Sequence, residues 1–441
     1  MLVDKLAALL AAPALALADL SGPWPPGALA IPSVAALLLP AVRDRLVRLA
    51  RTVITYTAIV LLPRSPAEVI DLLYRGCRRD RVPLLRRDLV CTARELRKEL
   101  EHPAGHSTDP DPRMSQGTFT FLFSLDDPAQ WKPRRTAISS ATPAMTARAH
   151  ADTTAFVPPP GHRDLYRDLT AHTLGSAFRI VFGRPPTTEE LHRLRPGIDD
   201  INDMVKNRSL RPRDDLRQRT WHETSRLIDA HLDDPRFLFH ADPHFAALDH
   251  GARIDVAGAD LLQSITVQTA DLFGHMLLLR HEHPAAFDHD IDAAILETLR
   301  LHPLSDSLFR TPDQGNPWLA SLVMVHRHNW PEPDRFCPTR WRHTPRRALA
   351  VYSAGPRTCP SFKVSEIIAT RMLHDLHQRG IRITPHPRLR HERTFYFGLP
   401  ATITHHGTPS AHRPPRLPTA RLWARRYAAR TLFMARKREI W

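Results

Sequence analysis

Tyr352-Ser-Ala-Gly355-Pro-Arg357-Thr-Cys359-Pro360 decides how this chain is read. Its cysteine sits in a loop shaped by glycine and proline. Glycine lets the backbone turn closely under a flat group, and the N–H groups of such a turn can point at the sulfur. The arginine two residues before the cysteine offers a charge-assisted donor to an acidic partner. A thiolate ligand beneath a flat, iron-bearing macrocycle needs this combination. Taken alone, the segment reads more plainly as an ordinary loop cysteine, so the rest of the chain has to decide.

Upstream lies Ala294-Ile-Leu-Glu297-Thr-Leu-Arg300-Leu-His-Pro303. Glu297 and Arg300 are three apart, so on a helix they share a face and can pair. Pro303 cannot continue the helix and marks its end. Between the two motifs stands Trp330-Pro-Glu-Pro-Asp-Arg-Phe336-Cys-Pro-Thr-Arg340-Trp341. In these segments the chain resembles the cytochrome P450 family, the haem-thiolate monooxygenases. Glu297 and Arg300 match that family's E-x-x-R, Arg340 the arginine that completes a structural triad, and Tyr352 to Cys359 its F-x-x-G-x-R-x-C loop. Each motif is weak alone, but their order and spacing together are not. Trp131 and Arg135, in Trp131-Lys-Pro-Arg-Arg135, resemble the W-x-x-x-R that reaches a haem propionate, and Arg310 resembles another propionate-binding arginine. A solvated basic helix end is the alternative for the Trp131 pair.

The resemblance implies a mainly α fold with small β-sheets and haem b bound through Cys359, with Tyr352, Gly355 and Arg357 beside it. It implies an oxidoreductase acting on an apolar or amphipathic small molecule, in a biosynthetic or secondary-metabolic role. Electrons would come from an external ferredoxin or reductase, since no flavin or ferredoxin module is visible; peroxide is the alternative oxidant. A peroxide-dependent or non-oxygenative enzyme remains open, as does a catalytically reduced haem protein acting through a basic tail.

Phe119, Phe121 and Phe123 alternate before the Trp131 segment. In the resembling family this stretch lies over the distal haem face, which makes the rings substrate-pocket candidates together with Ile265. They read equally well as a half-buried strand. Residues 255–280 read as the long distal helix, where the family carries A/G-G-x-D/E-T. A register taken from His283-Pro284 places Val267 at the acidic position and Gln268 at the alcohol position, with Thr269 about 100° further round. Gln268 and Thr269 are therefore the catalytic candidates. Glutamine can hold a water but cannot titrate near neutral pH. Ala257-Gly-Ala-Asp260 spells most of the motif some two turns earlier, but Leu261 then replaces the alcohol. Ser361 is a second departure, standing where the family has glycine.

Among 441 residues, 41 prolines against 17 glycines predict many helix ends and stiff connections. The formal charge of +15 brings no zinc spacing or recognition-helix pattern with it, which argues against nucleic acid. Cys77, Cys91, Cys337 and Cys359 form no C-x-x-C pair. That argues against structural zinc and a disulfide framework, and fits a reducing cytoplasm. Val82 to Cys91 reads as short strands and Thr92 to Glu101 as a helix.

Three segments are expected. Residues 1–60 are apolar and broken by prolines at 13, 23, 25, 26, 32 and 40, which argues against one spanning helix. They would pack on the domain or rest on a membrane surface. Residues 61–405 carry the haem-thiolate domain. Residues 406–441 read as a basic amphipathic extension, with Leu422, Trp423, Tyr427 and Phe433 among arginines, suited to an anionic membrane surface or an acidic partner.

Overall fold

The computed structural model describes residues 80–83, 88–102, 119–122, 125, 127–205, 213–305, 307–312, 316–327, 330–386 and 399–405. The expectations for residues 1–60 and 406–441, and for Phe123 and Cys77, lie outside these. Strands β1 (Arg81–Pro83) and β2 (Asp88–Val90) precede helix α1 (Ala93–Leu100). Then come α2 (Pro128–Ala151), β3 (Gly161–Asp164), α3 (Leu165–Phe182), α4 (Thr188–Val205) and α5 (Asp214–His231). A π-helical segment, Asp255–Gln263, runs straight into α6 (Ser264–Glu282), and α7 (Ile291–Leu301) follows. The chain continues through β4 (Ser307–Arg310), β5 (Trp318–Ser321), α8 (Leu322–Arg327), α9 (Phe362–Gln378), β6 (Arg382–Pro385) and β7 (Pro400–Thr404). No helix among the described residues is long and apolar enough to cross a membrane.

Two compact units emerge. The smaller holds the described residues up to 102 and those from 305 to 333. Its sheet has the order β1-β2-β5-β4, antiparallel except for β2 beside β5. Thr92 caps α1 by accepting from Glu95 N–H at 3.3 Å, the role hydroxyl side chains take at helix starts. Arg81 gathers Asp88, Glu95 and Glu99 around its guanidinium.

The larger unit holds the remaining described residues and is dominated by helices. Local chemistry sets several of their starts. Asp127 accepts from Ala129 N–H at 2.9 Å ahead of Pro128 at the first turn of α2. Asp164 accepts from Tyr166 N–H at 3.1 Å to begin α3, and Asp290 from Ala293 N–H at 2.9 Å to begin α7. Helix α7 stops at His302, ahead of Pro303, as proline sterics require. Helix α6 is buried between α3 and α9, with Leu272, Phe273 and Met276 fully enclosed. Strands β3, β7 and β6 form an antiparallel sheet in which Gly161 pairs with Ile403 and Arg382 with Thr404.

One buried carboxylate ties three helices together. Asp152, ending α2, accepts from Arg179 Nε at 3.0 Å on α3 and from Arg371 Nη2 at 3.0 Å on α9. Burial opposes ionisation, but these arginines and the Thr154 N–H outweigh it, holding the Asp152 carboxyl down at about 2.

Candidate haem-thiolate site

Cys359 ends a loop that is folded by its own backbone. Gly355 takes φ of 61°, the left-handed region open to glycine, and begins a single 3-10 turn through Arg357. Ser353 adopts φ of 64° nearby, which costs a non-glycine residue energy. Thr358 N–H returns to Gly355 O at 3.1 Å, and Cys359 N–H to Tyr352 O at 2.8 Å. Cys359 is half-buried, and desolvation pushes its thiol up from its ordinary value. Against that, the Ser361 N–H and hydroxyl, the charge of Arg135 and the Phe362 N–H at the start of α9 favour the thiolate. The Ser361 hydroxyl lies 3.8 Å from Sγ. The side chain at position 361 thus supplies a polar neighbour to the sulfur where glycine would supply none.

Helix α2 brings the next residues to this loop. Arg135 donates to the Thr358 carbonyl, next to the cysteine. Trp131 is 4% exposed, and its Nε1 has no hydrogen-bond partner among the described residues. Such a buried indole N–H ordinarily finds an acceptor. The Arg357 guanidinium stacks over the Trp131 ring with its carbon 4.3 Å from the ring centre. It also donates to Leu125 O at 2.9 Å and Leu122 O at 3.4 Å. Main-chain carbonyls thus occupy part of an arginine that the sequence assigned only to a propionate. Arg310 is buried on β4 of the smaller unit.

Glu297, Arg300 and Arg340 form one ionic network. Arg300 forks onto both carboxylate oxygens of Glu297, Nε at 2.9 Å and Nη2 at 2.8 Å. Arg340 Nε reaches Oε1 at 3.1 Å. Two further donors join: Cys337 N–H at 2.9 Å and Trp341 Nε1 at 2.9 Å. Glu297 is 0% and Arg300 1% exposed, so the charges depend on one another rather than on water. The sequence supplied the three charged members but not Trp341, although that residue directly follows Arg340. Tyr352 donates its hydroxyl to Glu366 at 3.0 Å, stacks on Phe362 with centroids 4.9 Å apart, and shares Glu366 with Arg346.

No protein-family model matches the chain, and no curated protein is significantly similar to it. Solved structures do match. A six-coordinate cytochrome P450 from Thermus thermophilus aligns with TM-score 0.57 at 20% identity, over 77% of this chain and 98% of that one. A zebra fish cytochrome P450 solved with abiraterone aligns with TM-score 0.56 at 15% identity, over 73% and 94%. A mutant of P450 EryK in complex with erythromycin B gives 0.54 at 19%, over 74% and 92%. The fold is that of the cytochromes P450.

Within a P450 fold, a haem is the group these residues have to accommodate, and they fit it. Cys359 offers the sulfur, and the orphaned Trp131 Nε1 lacks only an acceptor of the kind a propionate provides. Arg135 and Arg357 place positive charge beside it. Among the described residues, no other cluster of His, Cys, Asp or Glu could hold a metal ion. Cys91 is buried and donates to Leu89 O at 3.6 Å, while Cys337 contacts the Thr339 hydroxyl at 3.3 Å.

The helix expected over residues 255–280 departs from plain α geometry. Sequence periodicity implies one continuous α-helix over 255–280; instead Asp255–Gln263 winds as a π-helix before α6 begins. Such segments frequently mark functional sites. Ile265 and Thr269 are buried and Gln268 half-buried. Gln268 Oε1 and Thr269 Oγ1 have no partner among the described residues. Phe119 and Phe121 are buried, but they belong to an irregular segment rather than the half-buried strand their alternation suggests. That segment is held by Asp255 and Asp260, whose carboxylates the sequence reading left without a role.

Proposed function

We propose that this chain is a haem-thiolate oxidoreductase of the monooxygenase type. It would bind haem b through Cys359 and oxidise an apolar or amphipathic small molecule, with electrons from an external ferredoxin or reductase. The observation that carries this reading is the Cys359 loop, with Arg135 bonded to the carbonyl just before the cysteine, the Ser361 hydroxyl 3.8 Å from the sulfur and the Trp131 indole unpartnered beside it. Bound haem supplies reductive activation of dioxygen and its transfer to a substrate C–H bond.

The chain's own residues do the rest. The Ser361 and Phe362 N–H groups hold negative charge on the sulfur. Trp131, Arg135 and Arg357 orient the cofactor by its acidic edge. Phe119, Phe121 and Ile265 present apolar surface to a substrate and exclude water. Gln268 and Thr269 can hold a water by hydrogen bonds, but neither can supply a proton as a carboxylic acid does. That absence of an acid at position 267 favours a second reading, in which peroxide, already carrying its protons, is the oxidant.

Reconstitution with haem tests the assignment. The reduced, carbon-monoxide-treated protein should show the long-wavelength Soret band of thiolate ligation, and Cys359→Ser should lose it; retention of the band in that variant sinks the reading. Turnover with dioxygen and a surrogate reductase supports the first oxidant, and turnover with peroxide alone the second. Absence of both leaves a haem protein that acts by binding.

A further inference from the structure

Residues 119–122 form a strap held against the π-segment from several directions. Thr120 N–H donates to Asp255 Oδ1 at 3.1 Å, and Leu122 N–H donates to Asp260 Oδ1 at 2.8 Å. Arg134 of α2 spans the join, with Nη1 3.0 Å from Thr120 O and 2.8 Å from Asp255 Oδ2. The Phe119 ring covers Gly258 so closely that a Cβ there would stand 2.6 Å from its Cε1. The π-winding is what brings the two acids to the same strap. Bonding from i to i+5 turns the chain less per residue, which brings Asp255 and Asp260 nearer to one face. At the α-helical 3.6 residues per turn they would diverge by about 140°.

We infer that Asp255 and Asp260 are positioning residues forming a proton-controlled clasp, which fixes Phe119 and Phe121 through the strap while protons occupy the pair and releases it when they leave. Asp260 is the more sensitive member. It is 9% exposed, and its Oδ2 has no partner among the described residues. As a carboxylate it would bury a full charge against a single N–H donor, an expensive arrangement. Burial pushes Asp260 up to about 8, with Asp255 adding to the rise and the Leu122 N–H and Arg134 opposing it. Asp255 is pushed up to about 6 by burial, with Asp249 adding, against the Thr120 N–H and Arg134. At Gly258, between the two acids in sequence, Thr224 of α5 and Phe119 of the strap present carbon.

The direction follows from proton counting. On a released strap both acids meet water and return towards the ordinary value of about 3.9. The clasped form therefore binds more protons and is favoured at low pH. It weakens as pH climbs from about 4, through about 6 for Asp255 and about 8 for Asp260, and changes no further above that. The clasp stands on the hydrogen bonds; its effect on a substrate rests on the haem-thiolate reading, in which Phe119 and Phe121 line the pocket.

Amide hydrogen exchange of the full-length chain at Thr120 and Leu122, from pH 5 to 9, tests it, with α6 amides as the internal reference. After correction for intrinsic exchange, protection at Leu122 in the wild type should fall by up to about tenfold per pH unit between pH 6 and 8. Asp260→Asn, neutral and still an acceptor, should hold protection level above about pH 6, where Asp260 alone still titrates in the wild type, leaving only the Asp255 step below it. Gly258→Ala should displace Phe119 and remove strap protection at every pH, leaving the α6 amides unchanged. Parallel wild-type and Asp260→Asn profiles, or a wild-type Leu122 amide that is never protected, would overturn the clasp. If Asp260→Asn does not fold, the wild-type profile decides, a flat one being fatal. A protein that shows the predicted profile yet binds no haem keeps the clasp and loses the haem reading.

Discussion

Trp341 donates its indole N–H to Glu297 Oε2 at 2.9 Å, inside a carboxylate that no solvent reaches. A network described by three charges is therefore held by five donors, two of them neutral. Glu297→Ala removes every acceptor at once and leaves buried Arg300 uncompensated, which should cost about 3–5 kcal/mol. Trp341→Phe removes one donor and should cost about 1–3 kcal/mol. Against a total of roughly 5–15 kcal/mol, the first removes a large share of the stability and should lower the melting temperature steeply, and the second should lower it measurably. Equal, small effects in thermal melts would contradict the network.

Trp131→Phe separates a cofactor role from a packing role. The indole N–H has no acceptor among the described residues, so the apoprotein should lose only the packing of the smaller ring, about 1–2 kcal/mol of stability. Haem retention should weaken by about tenfold, the value of one charge-assisted hydrogen bond. Gel filtration of the loaded variant with spectroscopic haem quantification reads this; unchanged retention removes Trp131 from the site.

Restoring an acid to the distal helix should alter the yield of oxygen chemistry. In Val267→Asp with Gln268→Thr, a carboxyl and an alcohol occupy the positions that now hold valine and glutamine. The share of reducing equivalents recovered in product should rise by up to about tenfold, equivalent to about 1.36 kcal/mol of barrier. Product formed per electron pair delivered by a surrogate reductase, measured alongside hydrogen peroxide released, tests this. Tight coupling in the wild type would refute the register.

Asp152 should contribute an acid-labile part of stability. Its carboxyl is held down at about 2 by Arg179, Thr154 N–H and Arg371, against burial. The stabilisation is therefore complete above the unfolded value of about 3.9 and disappears as pH falls through about 2. Asp152→Asn should cost about 2–3 kcal/mol at pH 7, and the gap in melting temperature from wild type should close between pH 4 and 2. A gap independent of pH would show that packing, not charge, dominates at this position.

The legible parts of this protein are those written in short spacings. Glu297 and Arg300 three apart, the proline that stops α7, and glycine and arginine placed before Cys359 are local constraints, and local sequence states them. Thr92 and the strands before it were equally plain. What could not be read depends on partners distant in the chain. The choice of π over α winding at Asp255–Gln263 accompanies the docking of residues 119–122, more than 130 positions away. Burial of Phe119 and Phe121 alternates as in a strand, yet no strand pairs with them. Arg357 reaches the carbonyls of Leu122 and Leu125, a contact that no motif encodes.

Every oxygen of the Glu297 carboxylate is already satisfied by polypeptide, while the Trp131 indole beside the ligand loop is not. On the haem-thiolate reading, the two halves of the site would therefore mature on different clocks. The ionic scaffold closes during chain folding, whereas the indole gains its acceptor only on capture of the prosthetic group. A cell short of that group would accumulate a receptive apoprotein with its foundation already built, and holoprotein yield would follow cofactor supply rather than folding speed.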